Sequence, residues 1–104
     1  DDGVPLAYHE KFRKSELIDR IILQQDGFDR IDQSTPMNRQ RYMLEFILDI
    51  CDTDFVFESF EEVQPYFVHL ENLCKQMNYA EFEGSDFNRF KAEVAQIVAE
   101  RRAK

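Results

Sequence analysis

Apolar residues recur every three to four positions along four stretches of the chain, with short polar connections between them. The stretches are residues 15–26, 36–51, 65–77 and 85–98. This spacing predicts amphipathic helices that each bury one face. A looser stripe over residues 5–14 indicates either an extension of the first helix or a separate short one. The stripe of residues 36–51 is wide, so we expect that helix to be the central one.

The predicted ends of these helices carry residue types that favour capping. Ser15 and Ser85 are candidate N-cap residues, and Thr35 precedes Pro36, which suits the first turn of a helix. Gly27 is the residue type that most readily takes the left-handed conformation just after a helix. These signals divide the chain at the same places as the apolar stripes do.

The segment from residue 52 to residue 64 carries conflicting signals. Its TDFVF portion alternates polar and apolar residues like a short strand, whereas Ser59 and Glu62 have the spacing of a capping box. We favour a short helix. Pro65 disfavours helical geometry in the residue before it, so we predict a break or kink there and a new helix starting at Pro65.

Residues 1–104 are therefore predicted to form one all-α domain, a single compact bundle of four to five helices with a break near Pro65. Residues 1–5 are expected to be a flexible tail. No apolar run approaches the ~18 residues needed to span a bilayer, which predicts no membrane partner. Cys51 and Cys74 lie among apolar neighbours and lack CxxC spacing, so we expect reduced core thiols and a cytoplasmic (intracellular) protein. A disulfide or a redox role is the alternative.

The net charge of -8 is concentrated in the middle of the chain. Residues 1–43 carry a net charge of -1, residues 44–88 carry -10, and residues 89–104 carry +3. A negative surface repels phosphate backbones and speeds association with a basic partner. The alternative is that the acids only keep a phenylalanine-rich bundle in solution. The rings of this middle region that we expect to be buried are Phe46, Phe55, Phe57, Phe60 and Phe67.

Motifs for metal binding and catalysis fail at specific positions. A calcium loop beginning at Asp52 has Asp54 at its third position but Val56 at its fifth, where an oxygen ligand is required. Neither His9 nor His69 has the glutamate three residues earlier that a di-iron bundle requires, and we expect His69 to be exposed. Neither cysteine has a histidine at the spacing of a known catalytic pair, and the sequence contains no GxSxG motif for a nucleophilic serine. We therefore predict no enzyme activity, no cofactor and no metal.

Basic residues form only small groups, such as Arg39 with Arg41 and Arg89 with Lys91. Together with a sequence pI near 4.7, they predict no direct nucleic-acid binding. Mimicry of a nucleic acid by the carboxylates stays open.

The leading hypothesis is a non-catalytic protein-interaction module, such as an inhibitor, an immunity-type protein or an adaptor domain, that presents an acidic face to a basic protein partner. Any exposed ring among Phe55, Phe57 and Tyr66 is expected to supply the apolar part of that face. Two alternatives are a homodimerisation module of a larger protein and a small-ligand sensor with a pocket between helices. The predicted partner-binding residues are Asp49, Asp52, Asp54, Phe55, Phe57, Glu58, Glu61, Glu62 and Tyr66.

Overall fold

The computed structural model describes residues 5–23 and 37–104. The described residues are all-helical apart from connections and one isolated bridge. The predictions for the tail before Pro5, the C-cap at Gly27 and the helix start at Thr35 and Pro36 lie outside the described residues. The helices, labelled here in chain order, are α1 Leu6–Ile18, α2 Met37–Asp52, α3 Val63–Tyr79 and α4 Ser85–Arg101.

Helix α1 resolves the choice between one helix and two in favour of one. Ser15 lies inside the helix, so its prediction as an N-cap is wrong, and Pro5 occupies the N-cap position instead. The helix continues into a π-helical turn, Asp19–Leu23. Leu17 and Ile21, one turn apart, are buried. The polar Ser15 hydroxyl is tolerated because it points away from this buried face and is exposed.

The central helix of the described fold is α3, and the prediction that residues 36–51 take this place is wrong. Helix α3 packs against both α1 and α4, whereas α2 packs mainly against α1. The buried face of α3 explains this position, because Phe67, Leu70, Cys74 and Met77 follow one another at helical spacing and are each at most 3% exposed.

The segment before α3 is extended rather than helical, so the short helix predicted there is wrong except for a single 3₁₀ turn, Phe60–Glu62. Ser59 makes no side-chain capping bond, and the predicted capping box is absent. Helix α3 starts at Val63 and contains Pro65 in its first turn, where the missing backbone N–H costs no hydrogen bond. The break therefore precedes Pro65 by two residues.

Two further observations bear on earlier predictions. Helix α4 begins at Ser85 with Gly84 in the capping position, one residue from the expected boundary. Within residues 5–23 and 37–104, no helix has both the length and the apolar character needed to cross a membrane.

Candidate functional site

The acidic segment, residues 52–58, alternates between the core and the solvent like a strand. Phe55 and Phe57 are 8% and 6% exposed, whereas Val56 between them is 56% exposed. Asp52, Asp54 and Glu58 are exposed. The period of two places the rings inside and the carboxylates outside.

The two phenylalanines belong to an aromatic cluster in the core, so the prediction that either supplies an exposed ring is wrong. Phe55 meets Phe67 edge to face at 5.4 Å between ring centroids, and Phe57 meets Tyr66 at 5.3 Å. Tyr66 is half-buried, and its hydroxyl donates a hydrogen bond of 2.8 Å to the carbonyl oxygen of Ile97. Burial raises the pKa of Tyr66 above its usual range. These ring contacts stabilise the acidic segment on the side that faces the core.

Helix α1 binds one edge of the acidic segment through an ion pair. Lys14 Nζ lies 2.9 Å from Glu10 Oε2 and donates a hydrogen bond of 2.6 Å to the carbonyl oxygen of Thr53. Glu10 Oε2 in turn accepts a hydrogen bond of 3.3 Å from the backbone N–H of Phe55. The two charged side chains, each about one-sixth exposed, thus satisfy the backbone on this edge.

The other edge of the acidic segment pairs with the C-terminal end of the chain. The backbone N–H of Val56 donates to Arg101 O at 2.8 Å, and the N–H of Ala103 donates to Asp54 O at 2.8 Å. These bonds form an antiparallel bridge between Phe55 and Arg102. Because both edges are occupied, the extended conformation is stable without a sheet.

The structure separates the six predicted carboxylates into two groups. Asp49, Asp52 and Asp54 line one open groove of about 530 Å³ with Arg102 and Lys104. The positive charge of the C-terminal end therefore lies against part of the negative face, which sequence alone did not show. The remaining acids, Glu58, Glu61 and Glu62, lie farther along the chain toward α3.

Glu62 is not free for a partner, because its Oε1 lies 2.7 Å from the Arg101 guanidinium. Within the described part of the chain, the other five predicted carboxylates form no ion pair. Glu58 and Glu61 are exposed on either side of Phe60 in sequence. A negative surface with unpaired carboxylates is what remains of the predicted face.

Replacing Lys14 with methionine is expected to lower the free energy of unfolding by about 1–2 kcal/mol. The reason is that the carbonyl oxygen of Thr53 and the carboxylate of Glu10 both lose their charged partner. Urea unfolding followed by circular dichroism measures the change. Lys11, which is exposed on the same helix, provides the control variant Lys11→Met. Equal effects of the two substitutions contradict a role for Lys14 in holding the acidic segment.

Both cysteines are free thiols. Cys74 is fully buried in α3, and Cys51 is half-buried with its thiol 3.6 Å from the carbonyl oxygen of Lys14. Burial raises the pKa of Cys51 to about 11 and that of Cys74 to about 12. Both thiols are therefore neutral at physiological pH and weak nucleophiles.

The raised pKa of Cys74 predicts a loss of stability in alkali. Its folded pKa of about 12 exceeds the unfolded value of 9.0, so the neutral thiol favours folding fully below pH 9 and progressively less as the pH rises toward 12. Between about pH 9 and pH 12 the free energy of unfolding should fall by an extra ~1 kcal/mol per pH unit through this one group. Urea titrations at several pH values should show a steeper decline for the wild type than for Cys74→Ala. Parallel declines argue against this linkage.

Sequence reasoning missed a buried polar contact between α2 and the C-terminal end of α3. Arg39, which the sequence places in a small basic group with Arg41, is 6% exposed. Its guanidinium donates hydrogen bonds to the carbonyl oxygens of Met77, at 3.5 Å, and of Asn78. Desolvation lowers the pKa of Arg39. A cation at a helix C-terminus satisfies carbonyls that have no partner within the helix and favours the helix dipole.

The structure also places the side chains that were considered as metal ligands. His69 is exposed, in agreement with its prediction. Among residues 5–23 and 37–104, no three His, Cys, Asp or Glu side chains come close enough together to hold a metal ion.

Comparison with known proteins finds relatives among V-type ATP synthase alpha chains. The chain is 30% identical over 104 residues to the V-type ATP synthase alpha chain of Protochlamydia amoebophila (strain UWE25). The aligned region covers 100% of this chain and 18% of the relative. It is 32% identical over 98 residues to that of Borrelia duttonii (strain Ly), covering 94% and 17%. The match to that of Treponema denticola is 28% identical over 101 residues, covering 97% and 17%. The chain thus spans about a sixth of the length of these relatives. No family model and no solved structure matches.

Proposed function

We propose that this chain is a non-catalytic helical domain of a larger subunit resembling a V-type ATP synthase alpha chain, and that it binds a neighbouring protein through its acidic face. The similarity to those alpha chains runs along all or nearly all of this chain but through only about a sixth of each relative. A helical domain of a larger subunit has its natural partners in the rest of that subunit and in the proteins assembled with it.

One observation carries the assignment of the binding face. Among the described residues, five of the six predicted carboxylates are exposed without an ion pair, while Phe55 and Phe57 between them are buried. Holding five like charges close together in residues 49–61 costs electrostatic energy, which a basic partner would recover. We expect this partner to be a protein of the same intracellular compartment.

The test is the kinetics of association with the other subunits of a V-type ATP synthase. The association rate should fall as salt rises, and the double variant Glu58→Lys, Glu61→Lys should associate about tenfold more slowly at low salt. The matched control is Glu81→Lys, Glu93→Lys, which makes the same charge change at exposed positions away from the acidic segment. An association rate that ignores both salt and the Glu58 and Glu61 substitutions contradicts the proposal.

A second candidate function is self-association, and the outer face of α2 favours it. Leu44 and Leu48, one turn apart, are 39% and 41% exposed. Apolar side chains aligned in this way are typical of a helix that packs against another protein surface. Sedimentation should show dimers of the wild type and monomers of Leu44→Glu, Leu48→Glu, whereas a monomeric wild type at high concentration rejects this function. The small-ligand alternative stays a prediction.

A further inference from the structure

We propose that the apolar part of the acidic face is an aromatic surface formed by Tyr8, His9 and Phe60, and that it binds an arginine side chain of the partner protein. This inference rests on the proposed function and specifies the chemistry of the partner. It replaces the buried Phe55 and Phe57 with rings that the structure leaves exposed.

The aromatic surface joins α1 to the 3₁₀ turn. The imidazole of His9 stacks on Phe60, with 5.3 Å between ring centroids and 23° between their planes, and it meets Tyr8 edge to face at 6.2 Å. His9 Nε2 is buried and has no hydrogen-bond partner among the described residues. The imidazole is thus held mainly by stacking and fixes the position of Phe60. Tyr8 remains 58% exposed and Phe60 38% exposed, so both rings offer contact area to a partner.

The chain itself shows which group such rings accept. Arg101 lies over the ring of Phe57, 5.6 Å from its centroid, and pairs with Glu62 at 2.7 Å. Arg89 does the same with Phe90, at 4.5 Å, and with Asp86, at 3.2 Å.

A third arginine repeats this arrangement on α1. Arg13 lies 5.2 Å from the centroid of Phe12 and 3.0 Å from Glu16. In all three cases a planar guanidinium lies over an aromatic ring and pairs with a carboxylate that is four or five residues from that ring in sequence. The guanidinium suits both contacts, because it stacks on rings and presents several donors to carboxylate oxygens.

Phe60 likewise has carboxylates close to it in sequence, but among the described residues no arginine lies over its ring. Glu61 follows it and Glu58 precedes it by two residues, and both carboxylates are exposed. Within the described residues no cation lies over Tyr8 or Phe60, and neither glutamate has an ion pair. Two exposed rings beside two unpaired carboxylates therefore complement a cationic, planar side chain. An arginine meets this requirement better than a lysine, whose ammonium group is a compact and strongly hydrated charge.

The experiment titrates the 104-residue chain with two synthetic alanine-based peptides, one carrying three arginines and one carrying three lysines, and follows the protein by NMR. The arginine peptide should bind roughly threefold more tightly than the lysine peptide and perturb the signals of Tyr8, His9 and Phe60. The variant Tyr8→Leu, Phe60→Leu keeps apolar bulk but removes the aromatic faces, so the preference for arginine should vanish. Tyr79→Leu, at another exposed ring, should retain it.

Three results overturn the inference: no binding of the arginine peptide, no preference over lysine, or a preference that survives in Tyr8→Leu, Phe60→Leu. Circular dichroism shows whether each variant is folded. If the double variant does not fold, the single variant Phe60→Leu provides a milder substitution. The proposed function fails separately, when association with the protein partner ignores salt and the Glu58 and Glu61 substitutions.

Discussion

Replacing Phe55 with alanine is expected to lower the free energy of unfolding by about 3–5 kcal/mol, a large share of the total stability of a domain of this size. Phe55 lies at the centre of the aromatic cluster, where it meets Phe57, Tyr66 and Phe67 at 5.4 to 6.1 Å between ring centroids. Its removal leaves a cavity and deprives the acidic segment of its contact with the core.

Chemical denaturation of Phe55→Ala and of the neighbouring control Val56→Ala measures this effect. Val56 is largely exposed, so its substitution should change stability by less than about 0.5 kcal/mol. If the two variants are equally stable, the strand-like alternation of the segment is wrong, because both side chains must then have similar surroundings.

Replacing Arg39 with methionine is expected to destabilise the fold by about 2–4 kcal/mol. Methionine keeps much of the side-chain volume but donates no hydrogen bond, so the carbonyl oxygens of Met77 and Asn78 remain buried without their charged partner. Asn78 is fully buried, and its side-chain amide has no hydrogen-bond partner among the described residues. This end of α3 therefore depends on Arg39.

Thermal and chemical unfolding of Arg39→Met should be compared with Arg41→Met, an exposed position on the same helix. The control is expected to retain nearly the stability of the wild type. Arg39→Lys should recover only part of the loss, since an ammonium group does not reproduce the planar fork of a guanidinium. Full stability of Arg39→Met contradicts the structural role of the buried cation.

The sequence predicts those secondary-structure elements whose conformation is determined by neighbouring residues along the chain. The apolar stripes of α3 and α4 place Phe67, Leu70, Phe87 and Val94 in the core, as the structure shows. Residues 52–62 are different, because their local signals conflict and the outcome depends on distant residues. Glu10 and Lys14 on one edge, with residues 101–103 on the other, stabilise the extended form.

The charged and aromatic residues of the candidate site show the same limit. The uneven charge along the chain is visible in the sequence, but the return of the basic C-terminal end to the acidic segment is a long-range contact. Phe60 was expected in the core and is 38% exposed, because the 3₁₀ turn directs it toward His9 on α1. Nothing in the sequence around Arg39 distinguishes it from a surface arginine. It is buried because the C-terminal end of α3 packs against it. Burial at these positions follows from tertiary packing, which period and composition do not encode.

The most direct test is a nuclear Overhauser measurement on isotope-labelled protein across residues 52–58 and 101–103. The fold described here predicts cross-strand contacts between Phe55 and Arg102, slow hydrogen exchange at the amides of Val56 and Ala103, and sequential contacts typical of extended backbone. A helical pattern across residues 53–58 without contacts to the C-terminal end would contradict the inward rings and outward carboxylates from which the binding face is inferred.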